Sequence, residues 1–298
     1  DIFEVQDEIV RSVTQAILGE IELASLNRAK RKPTQNMSSY EFLLRGKEGH
    51  HAIDKDANAH ALEMFDKAIE ADSANAQAYA WKACTMGQAL GRGWIEKSLE
   101  EVMPEFNKLM DHAVKADPND FELHRLLCGI STMTGKFKAA IEHGKKAYDM
   151  VPNDPRILQQ YGEILLKTGK TKQGCDLTLL ALEYDPVAQG QTNSDKRKSD
   201  AVFGCLMDDR VELGLELAEE IEACSENILL FAAALSVAKH GSLEPCPWLI
   251  KDLKTCDFEG LEAAIEEMGR YDVVVQSTLR EVFLDHVAKL QPKLQLVS

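Results

Sequence analysis

One short pattern recurs at a constant interval in the middle of this chain, and it restricts the fold more than any other feature. Pro118, Pro152 and Pro186 follow one another at intervals of 34 residues, and each has an alanine five residues before it. Proline ends a helix because it cannot donate the next backbone hydrogen bond, and a small residue lets two helices approach closely. The pattern therefore predicts helix pairs that repeat every 34 residues. The alanines at the predicted close contacts are Ala113, Ala147 and Ala181.

This interval is that of tetratricopeptide (TPR) repeats, in which helix pairs stack because no pair can bury its apolar face alone. We therefore expect an all-α fold, a TPR-type α-solenoid of antiparallel helix pairs with a long N-terminal helix and degenerate C-terminal capping helices. The expected domains are residues 1–35, an N-terminal amphipathic helix and linker; residues 36–186, about four TPR helix pairs; and residues 187–298, degenerate helical repeats and a cap.

The N-terminal segment carries apolar residues at steps of three and four from Ile2 to Ile21. This spacing predicts one apolar stripe on a helix that extends to about Arg31. Such a stripe needs a partner, which can be the first repeat, a second copy of the chain in a homodimer, or a further domain. Because no Met precedes Asp1, we expect the chain to be a fragment of a longer protein.

The regular pattern weakens after Pro186. Residues 187–198 are polar and indicate a loop or the frayed start of a helix. Asp272 is a suitable N-cap for a last amphipathic helix that runs to about Leu290. Because a solenoid needs a terminal element with one polar face, this tail is expected to act as the cap. The other helices expected in the tail are residues 200–207, 209–223, 227–239, 248–254 and 258–267.

One repeat is longer than the others. From Ala68 to the equivalent Ala113 there are 45 residues, about eleven more than the period. We expect the extra residues in the turn around Gly87–Trp94. Loops of this kind often carry function, which makes Arg92 and Trp94 candidate functional residues.

The first helix of each TPR pair lines the inner groove of the array, and its polar positions are the candidate binding residues. Arg125 and Arg156 are the preferred anchors, because a guanidinium group can pair with a carboxylate through two hydrogen bonds. A peptide that carries both charges would suit this surface, and polar residues that only face solvent are the alternative. The candidate groove residues are Gln77, Glu122, Arg125, Arg156, Gln159 and Glu163.

Charge, apolar runs and cysteines limit the classes of partner. The formal net charge is -15, and an acidic surface repels nucleic-acid phosphates and anionic lipid headgroups. No apolar run has the length of a membrane-spanning helix. The seven cysteines include no C-x-x-C pair, which favours reduced, mostly buried thiols and a cytoplasmic location. We expect neither nucleic acid nor membrane as a partner.

Candidate catalytic or metal-binding residues are few. His50 and His51 are adjacent, but the position four residues after His50 holds Asp54, which is better explained as a helix N-cap. His124 and Cys128 are four residues apart on a predicted helix, a spacing found in zinc sites, although packing explains Cys128 better. We expect no metal, no cofactor and no catalytic site in this chain.

Two segments carry a family resemblance. Asp1–Val10, followed by Ser39–Gly46 and then by a TPR helix pair, resembles the C-terminal half of certain bacterial class III adenylate cyclases. The resemblance extends to about Pro186 and implies a nucleotide cyclase domain joined to a TPR array. Similar TPR tails follow winged-helix DNA-binding domains in bacterial regulators. Nothing here matches a cyclase catalytic domain, so we expect any enzymatic activity of the parent protein to lie outside this chain.

Two functional hypotheses follow. In the first, the chain is a protein-interaction and regulatory module of a cyclase-like signalling protein or of a winged-helix regulator. Its partner is then a protein, a peptide or a neighbouring domain of the same chain. In the second, the chain is itself an enzyme or a small-ligand sensor, with a pocket near Trp81, Trp94 and Arg125.

Overall fold

The computed structural model describes residues 21, 24–27, 29–30, 37–186, 196–221, 225–256, 265 and 273–290. Every regular element within these ranges is helical and none is a strand, which confirms the predicted all-α class. Most of the predicted N-terminal helix lies outside the described residues. Its end is helical at residues 21, 24–27 and 29–30, where Ala29 is buried.

The chain divides into two compact units, the first reaching Ile157 and the second beginning at Leu158. Consecutive helices pack against each other in residues 39–150 of the first unit and in residues 171–255 of the second. The helices up to the unit boundary are α1 (Ser39–His51), α2 (Lys55–Ala71), α3 (Ala76–Gly91), α4 (Leu99–Ala116), α5 (Phe121–Met133) and α6 (Phe137–Met150), and α7 (Pro155–Lys167) crosses it. The second unit continues with α8 (Thr171–Tyr184), α9 (Lys196–Met207), α10 (Val211–Glu219), α11 (Glu226–His240), α12 (Pro247–Thr255) and α13 (Val273–Val282).

The predicted repeat signals take the structural positions that the sequence assigns to them. Each of the helices α4, α6 and α8 ends two residues before its proline, at Ala116, Met150 and Tyr184. The three recurrent alanines, five residues before each proline, are no more than 1% exposed. Asp120 then starts α5, because its carboxylate accepts a hydrogen bond from the backbone N–H of Leu123 at 2.7 Å.

The long repeat distributes its extra residues over three places. Helix α3 has 16 residues where α5 has 13, and α4 has 18 where α6 has 14. The turn between α3 and α4 spans residues 92–98, whereas residues 134–136 join α5 to α6. We expected the whole insertion in the turn. The insertion is instead divided between the turn and the two helices, because Ser98 and Glu101 form a capping box that starts α4 early.

Close helix contact in the second unit depends on glycine. A Cβ atom on Gly162 would lie 2.9 Å from Cγ2 of Thr178 and 3.0 Å from the carbonyl oxygen of Gly174. The backbones of α7 and α8 therefore touch where the small residue at position 162 predicts a close crossing. Next in the chain, α9 packs on α8, α10 and α11, so the helix-pair pattern continues into the degenerate part.

Within the described residues, five of the six helices predicted for the tail occur in the predicted order, but their ends move. Helix α9 begins at Lys196, within the segment predicted as a loop or frayed helix start, and α10 ends at Glu219. The last helix passes through a π-helical turn at Phe283–Val287 and a 3-10 turn that ends at Leu290. The predicted N-cap Asp272 and nearly all of the predicted helix at 258–267 lie outside the described residues.

No helix in the described part of the chain is both long and apolar enough to cross a lipid bilayer. The cysteines that the structure describes are free thiols, and four of them are buried. Cys224 lies outside the described residues. The buried free thiols agree with the predicted packing role of these side chains.

Candidate functional site

In the first unit, side chains of two helices contact Trp81 on a third, and Arg156 at the start of a fourth helix joins them through Glu122. The contributing helices are α1, α3, α5 and the first residues of α7, which is the first helix of each successive pair. Helix periodicity explains why these side chains of one helix lie on the same side, because positions three or four residues apart share one helix face. We call this set the Trp81 surface; it comprises Lys47, His50, His51, Trp81, Arg125 and Arg156.

Trp81 lies at the centre of this surface and is 3% exposed. The rings of His50 and His51 meet it edge-on, with centroid distances of 5.2 Å and 5.4 Å. The Lys47 ammonium and the Arg125 guanidinium carbon each lie 5.6 Å from the ring centroid. Both cations are within the range of a cation–π interaction, which fixes them around the indole.

The indole Nε1 of Trp81 is buried and donates to no acceptor in this structure. A buried N–H group without an acceptor costs about 1–3 kcal/mol, because water can no longer solvate it. The Trp81 surface therefore contains a hydrogen-bond donor whose capacity the fold does not use.

Hydrogen bonding sets the tautomer of His50. The hydroxyl of Thr85 donates to the carbonyl of Trp81 at 2.8 Å, so its oxygen accepts from Nδ1 of His50 at 3.0 Å. Nε2 of the neutral ring then carries the lone pair. The Sγ atom of Cys84 lies 4.0 Å from this nitrogen, within the range of a weak thiol–imidazole contact.

Both histidines of the surface are neutral near pH 7. Burial, together with the charges of His51 and Arg125, lowers the pKa of His50 to about 3. Burial, together with Lys47 and Arg125, lowers the pKa of His51 to about 4. Burial is the largest cause of both shifts, and the nearby cations Lys47 and Arg125 add to it.

The two arginines predicted as anchors are held by carboxylates of the chain itself. Nε and Nη2 of Arg125 donate to the two carboxylate oxygens of Glu122 at 2.9 Å and 2.7 Å. Arg156 makes an equivalent two-point contact with Asp154, at 3.1 Å and 2.6 Å, and reaches Glu122 at 3.5 Å. The bidentate geometry foreseen for a partner is thus realised within the fold.

Glu122 is the acidic centre of this arrangement and is 3% exposed. Burial raises the pKa of its carboxyl group, but the charges of Arg125 and Arg156 and the hydrogen bonds from Arg125 lower it well below its usual range. The carboxylate therefore stays ionised and joins α5 to the start of α7. Arg156, with 37% of its side chain exposed, is the more accessible arginine.

The remaining predicted groove residues separate between the units. Gln77 donates to Asp120 at 2.8 Å in the first unit. Gln159 lies in the second unit, where it is buried, donates to Asp200 and accepts from Arg197 at 2.6 Å. Glu163 pairs with Lys167 at 2.8 Å, also in the second unit. The structure thus brings Glu122, Arg125 and Arg156 into one cluster. Gln77 and Gln159 instead form hydrogen bonds with side chains of neighbouring segments.

The insertion turn forms a small contact of its own. The guanidinium carbon of Arg92 lies 5.5 Å from the ring centroid of Trp94, within cation–π range. Arg92 is exposed and Trp94 is half-buried. Arg92 and Trp94 stay candidate functional residues. Trp81 and Arg125, both predicted from the sequence to lie near a ligand, contact each other directly.

The histidine and cysteine pairs take unreactive arrangements. Burial raises the pKa of Cys84 to about 11, so beside the neutral His50 it remains a thiol near pH 7. His124 pairs with His143, their Nδ1 atoms 3.0 Å apart, while its Nε2 donates to the carbonyl of Pro118 at 2.9 Å. Within the described residues, no three His, Cys, Asp or Glu side chains come together as a metal site.

The sequence did not single out Lys47 or the histidines as part of a site. Their only sequence signal is position, because Lys47 and His51 are one helical turn apart on α1 and share a face. Trp81 was named only for a possible ligand pocket. Stacking of the first helices brings these residues together. The sequence predicts that the helices stack, but it does not predict which side chains then meet.

No family model and no curated protein matches this chain. Among solved structures it is similar to pilF of Pseudomonas aeruginosa, with a TM-score of 0.52 and 13% identity over 70% of this chain and 92% of that one. It is also similar to the APC/C hetero-tetramer Cut9–Hcn1, with a TM-score of 0.57 and 13% identity over 89% of this chain and 46% of that one. A thermophilic TPR protein of Thermus thermophilus gives a TM-score of 0.47 and 14% identity over 67% of this chain and 100% of that one.

At identities this low, the likeness to the first two structures concerns the fold alone. It agrees with the 34-residue period and with the helix pairs described above. The chain has the TPR-like helical-repeat fold that its period predicts.

Proposed function

We propose that this chain is a partner-binding and regulatory module, and that the Trp81 surface is its docking site. The observation that carries the proposal is that four first helices place a tryptophan, two histidines and three cations on one surface. A purely structural role would be satisfied by apolar residues, which pack without any cost of desolvating charges. Tryptophan and arginine are also the residues that contribute most to binding energy at protein interfaces.

The site chemistry supports binding over catalysis. A nucleophilic cysteine needs a thiolate, usually stabilised by a protonated histidine or a helix N-terminus. Cys84 and His50 are instead both neutral, since burial shifts the pKa of the thiol upward and that of the imidazole downward. Glu122 is ionised and held by Arg125, so it is a weak candidate for a general acid or base.

We further propose that the chain is the non-catalytic C-terminal part of a bacterial adenylate cyclase-like signalling protein in the cytoplasm. This rests on the resemblance of Asp1–Val10 and Ser39–Gly46. In this proposal residues 1–35 connect to the effector domain or form a homodimer, residues 36–186 are the TPR array, and residues 187–298 are the degenerate cap. The coding sequence upstream of Asp1 tests it, because a cyclase domain and a winged helix imply different outputs.

Selection of random peptides displayed on phage tests the binding role. The complete chain is the bait, and a chain with both Arg156→Gln and His51→Gln is the counter-bait, checked for folding by circular dichroism. We expect peptides that bind the unmodified chain at least about tenfold more tightly than the double variant. A selection that yields no peptide with this preference would contradict the docking role of the Trp81 surface.

The contact between Trp81 and Arg125 also favours a second candidate function, that of a small-ligand sensor. Native mass spectrometry of the purified chain separates the two functions. A retained small molecule of constant mass, lost in an Arg125→Gln variant, would favour the sensor. A mass equal to that of the chain, together with peptide capture, would favour the partner-binding module.

A further inference from the structure

We propose that Cys175 and Cys205 form an oxidation site in the second unit, at which hydrogen peroxide converts the two thiols into an intrachain disulfide. Neither residue belongs to the Trp81 surface, so the site is independent of the proposed docking role. Its evidence is the packing of α8 against α9 and the charged side chains beside the two thiols.

The two thiols meet where the backbone of α9 approaches α8. A Cβ atom on Gly204, the residue before Cys205, would lie 3.2 Å from Cα of Cys175 and 3.5 Å from its Cβ. Both cysteines are free and fully buried, and their side chains are hydrogen-bonded to each other. The two sulfur atoms are thus in direct contact, and a change of side-chain torsion angles brings them to the disulfide length of about 2.05 Å.

Cys205 is the thiol that loses its proton more easily. The hydrogen bond from Cys175 lowers the pKa of Cys205 because it stabilises the thiolate, and the charge of Arg210 acts in the same direction while burial opposes it. The same hydrogen bond, together with burial, raises the pKa of Cys175. Since the thiolate is the nucleophilic form, Cys205 is the sulfur that attacks an oxidant and Cys175 is the sulfur that completes the disulfide.

Exposed charged side chains lie next to the pair. Arg210 is 30% exposed and contacts the carboxylates of Asp176 and Asp208. Asp176 follows Cys175 on α8, and the backbone N–H of Arg210 donates to the carbonyl of Cys205 at 2.9 Å. Exposed side chains change rotamer within nanoseconds, and hydrogen peroxide is little larger than water. Movement of these side chains therefore admits the oxidant to the buried thiols.

One molecule of hydrogen peroxide balances the reaction. The Cys205 thiolate attacks one peroxide oxygen, the O–O bond breaks, and a sulfenic acid forms at Cys205 while hydroxide leaves and takes up the proton that Cys205 had lost. The Cys175 sulfur then attacks the Cys205 sulfur, the S–O bond breaks, and the departing oxygen leaves as water with the Cys175 proton. Two electrons pass from the thiols to the peroxide, and the products are a disulfide and two water molecules.

Peptide mapping of the complete chain tests the oxidation site. The chain is treated with hydrogen peroxide, its remaining thiols are blocked with iodoacetamide in urea, and it is digested with trypsin without a reductant. Trypsin places the two cysteines on separate peptides, residues 173–196 and 199–210. We expect these two peptides to be joined, with a mass two hydrogen atoms below their sum, and to separate after treatment with dithiothreitol.

Variants assign the roles of the two sulfurs. In Cys175→Ser the completing sulfur is missing, so the sulfenic acid at Cys205 should persist and react with dimedone. Cys205→Ser should give no dimedone adduct at Cys175, because the pKa of that thiol is raised. Cys246→Ser is the matched control, since Cys246 is also buried and its Sγ lies 3.5 Å from the hydroxyl of Ser236. It should form the joined peptides at the rate of the unmodified chain, and circular dichroism checks the folding of each variant.

The unmodified chain provides the decisive comparison, because it needs no substitution. The thiols of Cys175 and Cys205 should be lost at least about tenfold faster than that of Cys246. Loss of all three thiols at one rate would overturn the oxidation site. Oxidation of Cys205 to a sulfinic acid without joined peptides, or joined peptides that pair either cysteine with a different one, would overturn it as well.

Discussion

Nδ1 of His50 donates to Oγ1 of Thr85 at 3.0 Å, and this bond fixes the tautomer of the imidazole that lies against the ring of Trp81. The hydroxyl cannot serve as donor to His50, since it already donates to the carbonyl of Trp81 at 2.8 Å. One backbone carbonyl thus determines the tautomer of a side chain on another helix. The burial of this imidazole, which lowers its pKa, makes the fold sensitive to acid.

Acid should destabilise the chain through the two histidines of the Trp81 surface. Their folded pKa values, about 3 for His50 and about 4 for His51, lie below the ordinary histidine value of 6.5. The unfolded state therefore binds more protons as the pH falls below 6.5, and the free energy of unfolding decreases. We expect a loss of about 1–2 kcal/mol per histidine between pH 8 and pH 5, measured by urea unfolding.

Two glutamine variants control the acid experiment. His51→Gln should remove about half of the pH effect assigned to the pair. His60→Gln, at a side chain that is 57% exposed, should leave the effect unchanged. An unfolding free energy that varies with pH equally in all three chains would show that other groups cause the acid sensitivity.

Removing the charge of Glu122 should destabilise the first unit. Glu122→Gln removes the carboxylate that pairs with Arg125, which is 7% exposed, and breaking a buried ion pair typically costs about 3–5 kcal/mol. Asp149→Asn provides the contrast, because Asp149 and Lys145 form a pair on α6 with 56% and 61% of their side chains exposed. That change should cost less than about 0.5 kcal/mol. Equal losses in chemical denaturation would refute the structural role of Glu122.

Adding a methyl group should have opposite effects at two glycines. Gly162→Ala would place its Cβ 2.9 Å from Thr178 and 3.0 Å from a backbone oxygen, so we expect destabilisation by about 1–3 kcal/mol. Gly87 lies inside α3 with no atom within 4 Å of an added Cβ, and Gly87→Ala should stabilise the chain by about 0.5–1 kcal/mol. Thermal unfolding of both variants checks the prediction. A stable Gly162→Ala chain would mean that α7 and α8 are farther apart than described.

The thiol of Cys84 should react slowly with alkylating reagents. With a pKa of about 11, roughly one molecule in a thousand carries the thiolate at pH 8. Iodoacetamide should modify Cys84 about 100-fold more slowly in the folded chain than in urea, as followed by peptide mass spectrometry. The urea sample is the control for intrinsic reactivity. Rapid modification of the folded chain would reveal a stabilised thiolate and reopen a nucleophilic role for Cys84 and His50.

Local signals explain why most of the architecture was predictable. Pro118, Pro152 and Pro186 end helices for a reason that acts within a few residues, so the helix ends follow directly from the sequence. The insertion was harder to place, since capping by Ser98 and Glu101 competes with the turn for the same residues. For residues 187–198 the sequence left a loop and a frayed helix start as alternatives, because polar composition does not distinguish a solvated helix from a loop, and α9 begins within this segment at Lys196.

The candidate site was only partly predictable. Counting helix positions identified Glu122, Arg125 and Arg156, which do cluster in the first unit. The same count grouped Gln159 and Glu163 with them, and these two residues follow Arg156 on α7 in the second unit. Residue spacing within one helix fixes which face a side chain occupies, but it does not state which charged neighbour reaches it first.

The sequence by itself determined the helical class, the 34-residue period and the positions where helices stop, because these depend on local hydrogen bonding and on small residues at close contacts. Only the tertiary structure decided that Arg156 reaches Glu122 and that His50, His51, Lys47 and Arg125 surround Trp81. These residues come from well-separated parts of the chain, and stacking of successive first helices is what brings their side chains within a few ångströms of one another.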